Sequence, residues 1–237
     1  HGLGLDHSTR YFGSTYDVVI PEDEAVGTTL FGRWSGHWQE RPQIFDLAAL
    51  QLLYGPDPAG RAGDDVVVPP MGAFDPDRPE ATSPLLWDGA GKDRIDLSGL
   101  NGPATATLAP GVISRVGDAA GGLLEPGTFS INYNSEFETL IGTGRGDALS
   151  GSERGDTIIG RAGGDAISGK AGDDLLKGAR GRDDLDGGPG DDRLLGAGGH
   201  DRMAGDAGDD VMKGARGRDE MQGGEGDDRS EEHTSEL

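Results

Sequence analysis

The sequence predicts a mainly β chain: a right-handed parallel β-roll of nonapeptide repeats, preceded by a β-rich bridge and by the end of an α/β domain contributing one core helix. Three observations predict it. From residue 142 onward, glycine, aspartate and a large apolar residue recur in fixed phase with a period of nine. Between residues 60 and 141, short β-prone runs alternate with turn residues. Helical periodicity is confined to one stretch within the first sixty residues.

The array comes first because it organises the rest. It reads GTGRGDALS, GSERGDTII, GRAGGDAIS, GKAGDDLLK, GARGRDDLD, GGPGDDRLL, GAGGHDRMA, GDAGDDVMK and GARGRDEMQ, followed by GGEGDD, the start of a tenth unit. The first position is glycine from Gly142 to Gly223, and the sixth is aspartate from Asp147 to Asp228. The eighth is a large aliphatic residue or methionine, such as Leu149, Ile158, Leu194 and Met212. Six residues rich in Gly and Asp suit a tight loop, because glycine takes positive φ without steric penalty. The last three form a minimal strand with one inward apolar side chain. Such a unit buries too little by itself, and stacked copies build a thin continuous core.

Composition alone points elsewhere. Hydrophobic residues are 33% and aromatic residues 5%, 44 residues are glycine, and the formal charge is −22. Low hydrophobicity with high net charge is the signature of disorder, and an acidic Gly-rich linker would fit it. Three positions held in phase over the whole array argue against a linker, and a period of nine excludes collagen. Cysteine is absent, so disulfides do not replace the missing core. The acidic balance offers no basic footprint for nucleic acid. No apolar run approaches the roughly 20 residues of a membrane span.

Stacking the units lines up the sixth-position carboxylates Asp147, Asp156, Asp165, Asp174, Asp183, Asp192, Asp201, Asp210, Asp219 and Asp228 in rows. Like charges in rows repel unless a divalent cation lies between them. Calcium suits, since it accepts several carboxylate and carbonyl oxygens in flexible geometry. The units resemble the calcium-binding G-G-x-G-x-D-x-U-x repeat of RTX proteins. An ordered roll with calcium and a largely unfolded segment without it are expected, binding and folding being one equilibrium. The fourth position is Arg145 and Arg154 in the first two units instead of glycine; a bulky residue there is expected to weaken the first calcium loops.

The bridge, residues 60–141, contains the runs "DDVVV", "DRIDLSGL", "ATATLAPGVI" and "FSINYN". Two pieces echo the nonapeptide. "GRAGDDVVV" places Gly60, Gly63, Asp65 and Val67 at positions one, four, six and eight. "DGAGKDRID", from Asp88, keeps Gly91, Asp93 and Ile95 but loses the first glycine. Asp65 and Asp93 are therefore candidates for isolated calcium loops.

In residues 1–59, "PQIFDLAALQLLYG" is the one convincing helix, with Ile44, Leu47, Ala48 and Leu50 on overlapping faces and Tyr54-Gly55-Pro56 ending it. "FDLAALQLLYG", "AGDDVVV", "WDGAGKDRIDLSG" and "ATLAPGVISRVG", followed by the nonapeptides, together resemble the C-terminal half of the serralysin-type metallopeptidases, secreted bacterial metzincins with a zinc protease domain and a calcium β-roll. Under that resemblance, residues 1–59 are the end of a metzincin catalytic domain. The opening "HGLGLDH" then reads as the end of H-E-x-x-H-x-x-G-x-x-H, with His1 and His7 as zinc ligands and Gly4 permitting the turn between them. Three imidazoles leave zinc a position for a water whose pKa the metal lowers. The first zinc histidine and the general-base glutamate of that motif are not in this sequence, so no catalytic residue is assigned and the chain alone is expected to be inactive. The family's methionine-containing turn is also unmatched: the corresponding stretch is "TLFGRWSG", with Phe31, Gly32 and Arg33. His37, beside Trp34 and Trp38, is expected to pack or face solvent.

At the other end the repeat breaks at Ser230, where an aliphatic residue would follow, and residues 229–237 ("RSEEHTSEL" from Ser230's neighbour Arg229) resemble an in-frame read-through of a sequencing adapter. The resemblance implies a secreted, extracellular parent: a zinc metalloendopeptidase with calcium and zinc as cofactors and a protein or peptide substrate. It also implies export by a type I secretion apparatus, with calcium folding the roll outside the cell. The alternative is a non-catalytic secreted RTX calcium-binding or adhesion protein, favoured by the Phe31-Gly32-Arg33 departure. An RTX lipase would need a Gly-x-Ser-x-Gly turn, which the sequence lacks.

Overall fold

A computed structural model of the chain describes residues 63–72, 84–118, 126–133 and 135–231, with the backbone of residues 33–34 and 37–38. His1, His7 and the expected helix lie outside the described residues. Arg33–Trp34 (β1) and His37–Trp38 (β2) pair antiparallel.

The bridge supplies the next seven strands: Val66–Val67 (β3), Leu85–Leu86 (β4), Arg94–Asp96 (β5), Ala104–Thr107 (β6), Ile113–Val116 (β7), Thr128–Ile131 (β8) and Thr139–Ile141 (β9). β6, β7 and β8 form an antiparallel meander, while β3, β5 and β9 run parallel to one another. Alternation such as Ala104-Thr105-Ala106-Thr107, buried and then exposed, places one face of β6 inward. Phe129, Leu97, Leu108, Ile131 and Phe137 are all buried, and they make this end of the core wider than the end built from single aliphatic side chains.

The array continues both sheets without a break. Its strands are Ala148–Ser150 (β10), Thr157–Ala162 (β11), Ala166–Ser168 (β12), Leu175–Arg180 (β13), Asp184–Pro189 (β14), Arg193–Gly198 (β15), Arg202–Ala207 (β16), Val211–Arg216 (β17), Glu220–Glu225 (β18) and Arg229–Glu231 (β19). Even-numbered strands of the array extend the meander into a nine-stranded sheet; odd-numbered ones extend β9, β5 and β3 into an eight-stranded sheet. All array pairs are parallel. Each residue meets the one 18 positions on, as in Ile158↔Leu176↔Leu194↔Met212 and Leu149↔Ile167↔Leu185↔Met203. One turn of the roll is therefore two nonapeptides. No described residue is helical.

The eighth-position side chains from Leu149 to Met212 are 0–3% exposed and form one core with the bridge residues. Each contributes roughly 1.5–3 kcal/mol of burial, so the core is continuous but only two side chains wide. Met221 is partly buried, and Ser230, in the next core position of its sheet, is exposed.

Seven of the ten array strands are longer than the expected three residues; β10, β12 and β19 have three. β13, for example, runs through Gly178 and Ala179 to Arg180, because backbone pairing between turns persists at Arg161↔Ala179 and Ala162↔Arg180. The first-position glycine continues the strand instead of opening the loop. Residue two then turns the chain with φ between 71° and 89° at Arg161, Lys170, Ala179, Ala197, Asp206 and Ala215.

Because the core is so thin, one truncation should be felt strongly. Leu176→Ala, at 0% exposure, is expected to lower the stability of the calcium-loaded chain by about 2–5 kcal/mol, read from denaturant unfolding in calcium.

Candidate metal centres

The sixth-position aspartate ends each loop with its side chain turned inward. In every array loop but the last two, the backbone N–H of that residue donates to Oδ1 of the aspartate one turn later. The bond is 2.9 Å from Asp165 to Asp183, 2.8 Å from Asp174 to Asp192 and 2.9 Å from Asp192 to Asp210. Two ladders result. Asp147, Asp165, Asp183, Asp201 and Asp219 follow one edge of the roll; Asp156, Asp174, Asp192, Asp210 and Asp228 follow the other.

Oδ1 is thus satisfied, and Oδ2 is not. The Oδ2 atoms of Asp165, Asp174, Asp183, Asp192, Asp201 and Asp210 are buried without a hydrogen-bond partner. A buried carboxylate oxygen left bare costs free energy comparable to a lost charged hydrogen bond. Each Oδ2 lies against the first-position glycine of its own unit, as Asp183 does on Gly178 and Asp192 on Gly187, so a Cβ there would strike the carboxylate. The fourth-position glycine is fixed for a different reason. Gly181 has φ +141°, and a Cβ on it would overlap the Gly163 carbonyl oxygen of the previous turn. Bare carboxylate oxygens beside a close-packed row of backbone carbonyls form an all-oxygen donor set, the chemistry that suits calcium.

Without a cation these carboxyls resist ionisation. Burial, reinforced by neighbouring carboxylates and opposed by the backbone hydrogen bond, raises Asp165 to about 6, Asp174 to about 7 and Asp192 to about 6. Burial raises Asp156, Asp183, Asp201 and Asp210 as well.

The first two loops solve the problem with protein groups. Thr143 donates to Asp147 from its N–H to Oδ2 at 2.7 Å and from its hydroxyl to Oδ1 at 2.9 Å. Ser152 gives Asp156 Oδ2 both its N–H, at 2.6 Å, and its hydroxyl, at 2.9 Å. The hydroxyls in turn accept the N–H groups of Arg145 and Arg154, closing short side-chain turns. Neither Thr143 nor Ser152 takes the positive φ that the second position has in later units. The fourth-position arginines thus mark loops of a different conformation, a distinction that bulk at position four does not convey by itself.

A separate acidic cluster lies in the bridge. Carboxylate oxygens of Asp65, Asp88 and Asp93 fall within 4.8 Å of one another. Asp65 N–H donates to Asp93 Oδ1 at 2.6 Å, and Asp93 N–H donates to Glu138 Oε2 at 2.7 Å. Asp88 Oδ1 and Asp93 Oδ2 are buried without partners. Burial, then the hydrogen bond and charge of Asp93, raises Asp88 to about 6. The Gly63 carbonyl reaches the same place, since a Cβ on Gly91 would meet it and Asp93 Oδ2. The structure brings together Asp65 and Asp93, both expected from the repeat. Asp88 was missed, although its signal was present: it stands where the nonapeptide has its first glycine, the position against which the sixth-position carboxylate rests.

Comparison with known proteins agrees with this geometry. The RTX calcium-binding nonapeptide repeat matches in four copies, at residues 141–176, 168–203, 177–212 and 204–229. Serralysin C of Dickeya chrysanthemi is 30% identical over 172 residues, covering 63% of this chain and 34% of that protein. Serralysin A of the same organism is 31% identical over 163 residues, covering 63% and 33%. Metalloprotease AprA of Pseudomonas entomophila (strain L48) is 30% identical over 144 residues, covering 51% and 30%. The chain spans about a third of the length of the curated relatives it matches, and it carries RTX calcium-binding repeats.

Two outcomes follow from the loop geometry. The folded pKa values of about 6–7 lie above the unfolded value near 3.9, so the metal-free fold holds more protons than the unfolded chain between those limits. Its stability is therefore expected to fall as pH rises from about 4 to about 7. Circular dichroism in chelator should show more β signal at the acidic end. Ala197→Gly, relieving φ +78°, is expected to stabilise the calcium-loaded chain by about 1 kcal/mol, read from its unfolding midpoint.

Proposed function

We propose that this chain is the calcium-binding C-terminal part of a secreted serralysin-like zinc metalloendopeptidase, whose roll folds on calcium outside the cell. The observation that carries this reading is the row of buried Oδ2 atoms without partners from Asp165 to Asp210. A chain with formal charge −22 and a core two side chains wide gains little from closing such rows on themselves. A cation between turns neutralises the carboxylates and ties each loop to the next. The proposed ligands are Asp165, Asp174, Asp183, Asp192, Asp201, Asp210, Asp219 and Asp228, with the weakest sites at Asp147 and Asp156, where hydroxyls already occupy the carboxylates. Asp65, Asp88 and Asp93 form a further calcium site in the bridge.

Folding coupled to calcium makes the roll a switch. At sub-micromolar calcium the chain stays unfolded and passes through a type I secretion apparatus; at millimolar calcium outside, binding drives the fold. Zinc would be held by His1 and His7 with a third histidine of the parent, acting on protein or peptide substrates. A non-catalytic secreted RTX protein is the second reading, favoured by Phe31-Gly32-Arg33 where serralysin-type enzymes have their methionine turn.

Circular dichroism of the full chain tests the switch: calcium added to the chelated protein is expected to raise β signal, and an unchanged spectrum would sink the reading. Asp183→Asn should reduce the calcium bound in calorimetry and move the folding midpoint to several-fold higher calcium. Asp147→Asn should leave the bound calcium nearly unchanged and cost about 1 kcal/mol of stability through its weakened hydrogen bonds.

A further inference from the structure

The two edges of the roll carry opposite charge. On the edge that holds the Asp165–Asp219 ladder, the outward loop positions two to five carry Arg161, Arg180, Arg182, His200, Arg216 and Arg218, and no acid. On the opposite edge the same positions carry Asp173, Asp191, Asp206, Asp209, Glu225 and Asp227, with Lys170 the one cation there from the fourth unit onward. Those acids are partly committed within the fold: Asp173 Oδ1 accepts the N–H of Asp191, and Asp191 Oδ1 accepts that of Asp209.

The basic edge is built by a duplication. KGARGRD occurs at 177–183 and again at 213–219. The register aligns Arg180 with Gly198 and Gly198 with Arg216, so equivalent guanidinium groups stand two strands, about 10 Å, apart along the roll. Between them the His200 ring meets the Arg218 backbone through Nδ1, 2.9 Å from its N and 3.1 Å from its O. Arg182, His200, Arg202 and Arg218 line a cavity of about 360 Å3 together with Glu220 and the ladder aspartates Asp201 and Asp219. Arg180, Arg182, Arg216 and Arg218 are exposed and make no ion pair among the described residues. Calcium bound at Asp183, Asp201 and Asp219 would neutralise the ladder carboxylates, leaving Glu220, paired in register with Arg202, as the one acid of the cavity lining.

We propose that this edge, once the roll is calcium-loaded, binds an acidic polysaccharide lying along the roll axis, its anionic groups meeting the Arg182–His200–Arg218 cavity and the flanking arginines. Spaced fork-shaped donors recognise sulfate and carboxylate groups bidentately. The loop residues between them are glycine and alanine, which offer no aliphatic surface for a lipid interface and no aromatic platform for stacking nucleic-acid bases.

Labelled heparin titrated against the full chain tests this. Binding is expected in calcium, at least ~10-fold weaker in chelator and steeply weakened by salt. Arg182→Glu combined with Arg218→Glu should abolish it while leaving the calcium-induced β signal intact; if that variant does not fold, Arg182→Gln with Arg218→Gln should weaken binding in the same direction. Unchanged binding by a folded arginine variant overturns the proposal. So does tighter binding of single-stranded DNA or of anionic phospholipid vesicles. Loss of heparin binding in Asp173→Asn with Asp191→Asn, but not in the arginine variants, would show calcium bridging at the acidic edge and overturn it too. Absence of any calcium-induced β signal in the unaltered chain would instead overturn the calcium-folding reading on which this one rests.

Discussion

The divided use of the sixth-position carboxylate is the constraint on which the roll depends. Oδ1 accepts a backbone N–H from the turn before, so each loop is clamped to its predecessor by a short hydrogen bond. Oδ2, buried and bare from Asp165 to Asp210, leaves a negative charge that the fold cannot satisfy by itself. The same residue therefore sets the register and makes it costly. That pairing explains why both glycines of each loop from the third unit onward are sterically fixed: one makes room for the carboxylate, the other for the carbonyl of the neighbouring turn.

Hydrophobic burial plays a supporting part. One side chain per nonapeptide reaches the interior, and the core gains width only in the bridge, where Phe129, Phe137, Leu97 and Leu108 gather. The second loop position holds non-glycine residues such as Lys170 and Ala197 at φ of 89° and 78°, each at a cost of order 1 kcal/mol. Against such small margins, a row of buried carboxylate oxygens without partners weighs heavily. The first two units follow a different solution. Thr143 and Ser152 supply donors to Asp147 and Asp156, and these loops lie next to the bridge, with Ala104 N–H adding a further bond to Asp147 Oδ1 at 2.7 Å. The roll thus begins from hydrogen bonds that protein groups complete and continues through loops whose carboxylate Oδ2 atoms have no protein partner.

The expected helix of the first sixty residues and the histidines His1 and His7 lie outside the described residues, so the helix rests on its apolar periodicity and the zinc role of the histidines on resemblance. Within the described residues, much was legible early. The eighth-position residues are the core, the sixth-position aspartates form rows, and Val66–Val67 and Arg94–Asp96, from the two stray repeats, join the sheets as β3 and β5. Three features were not legible. Strands extend into the loop because pairing between turns continues past the first glycine. Asp88 converges on Asp65 and Asp93 from a position that the repeat reserves for glycine. The hydroxyls at Thr143 and Ser152 replace what a cation would supply, an exchange visible only once donors and acceptors are placed.

By itself the sequence determined the period, the inward residue, the carboxylate and the glycines, because each is a local requirement that every nonapeptide must meet. Tertiary structure decided that residues pair at a distance of 18 and not nine. Two sheets must close on one core, so successive units face each other across it and each stacks on the unit after next. This sorts the ten aspartates into two ladders and sends alternate loops to opposite edges, one lined by arginine and the other by aspartate. No single nonapeptide encodes that separation, since it follows from closing the core between the sheets.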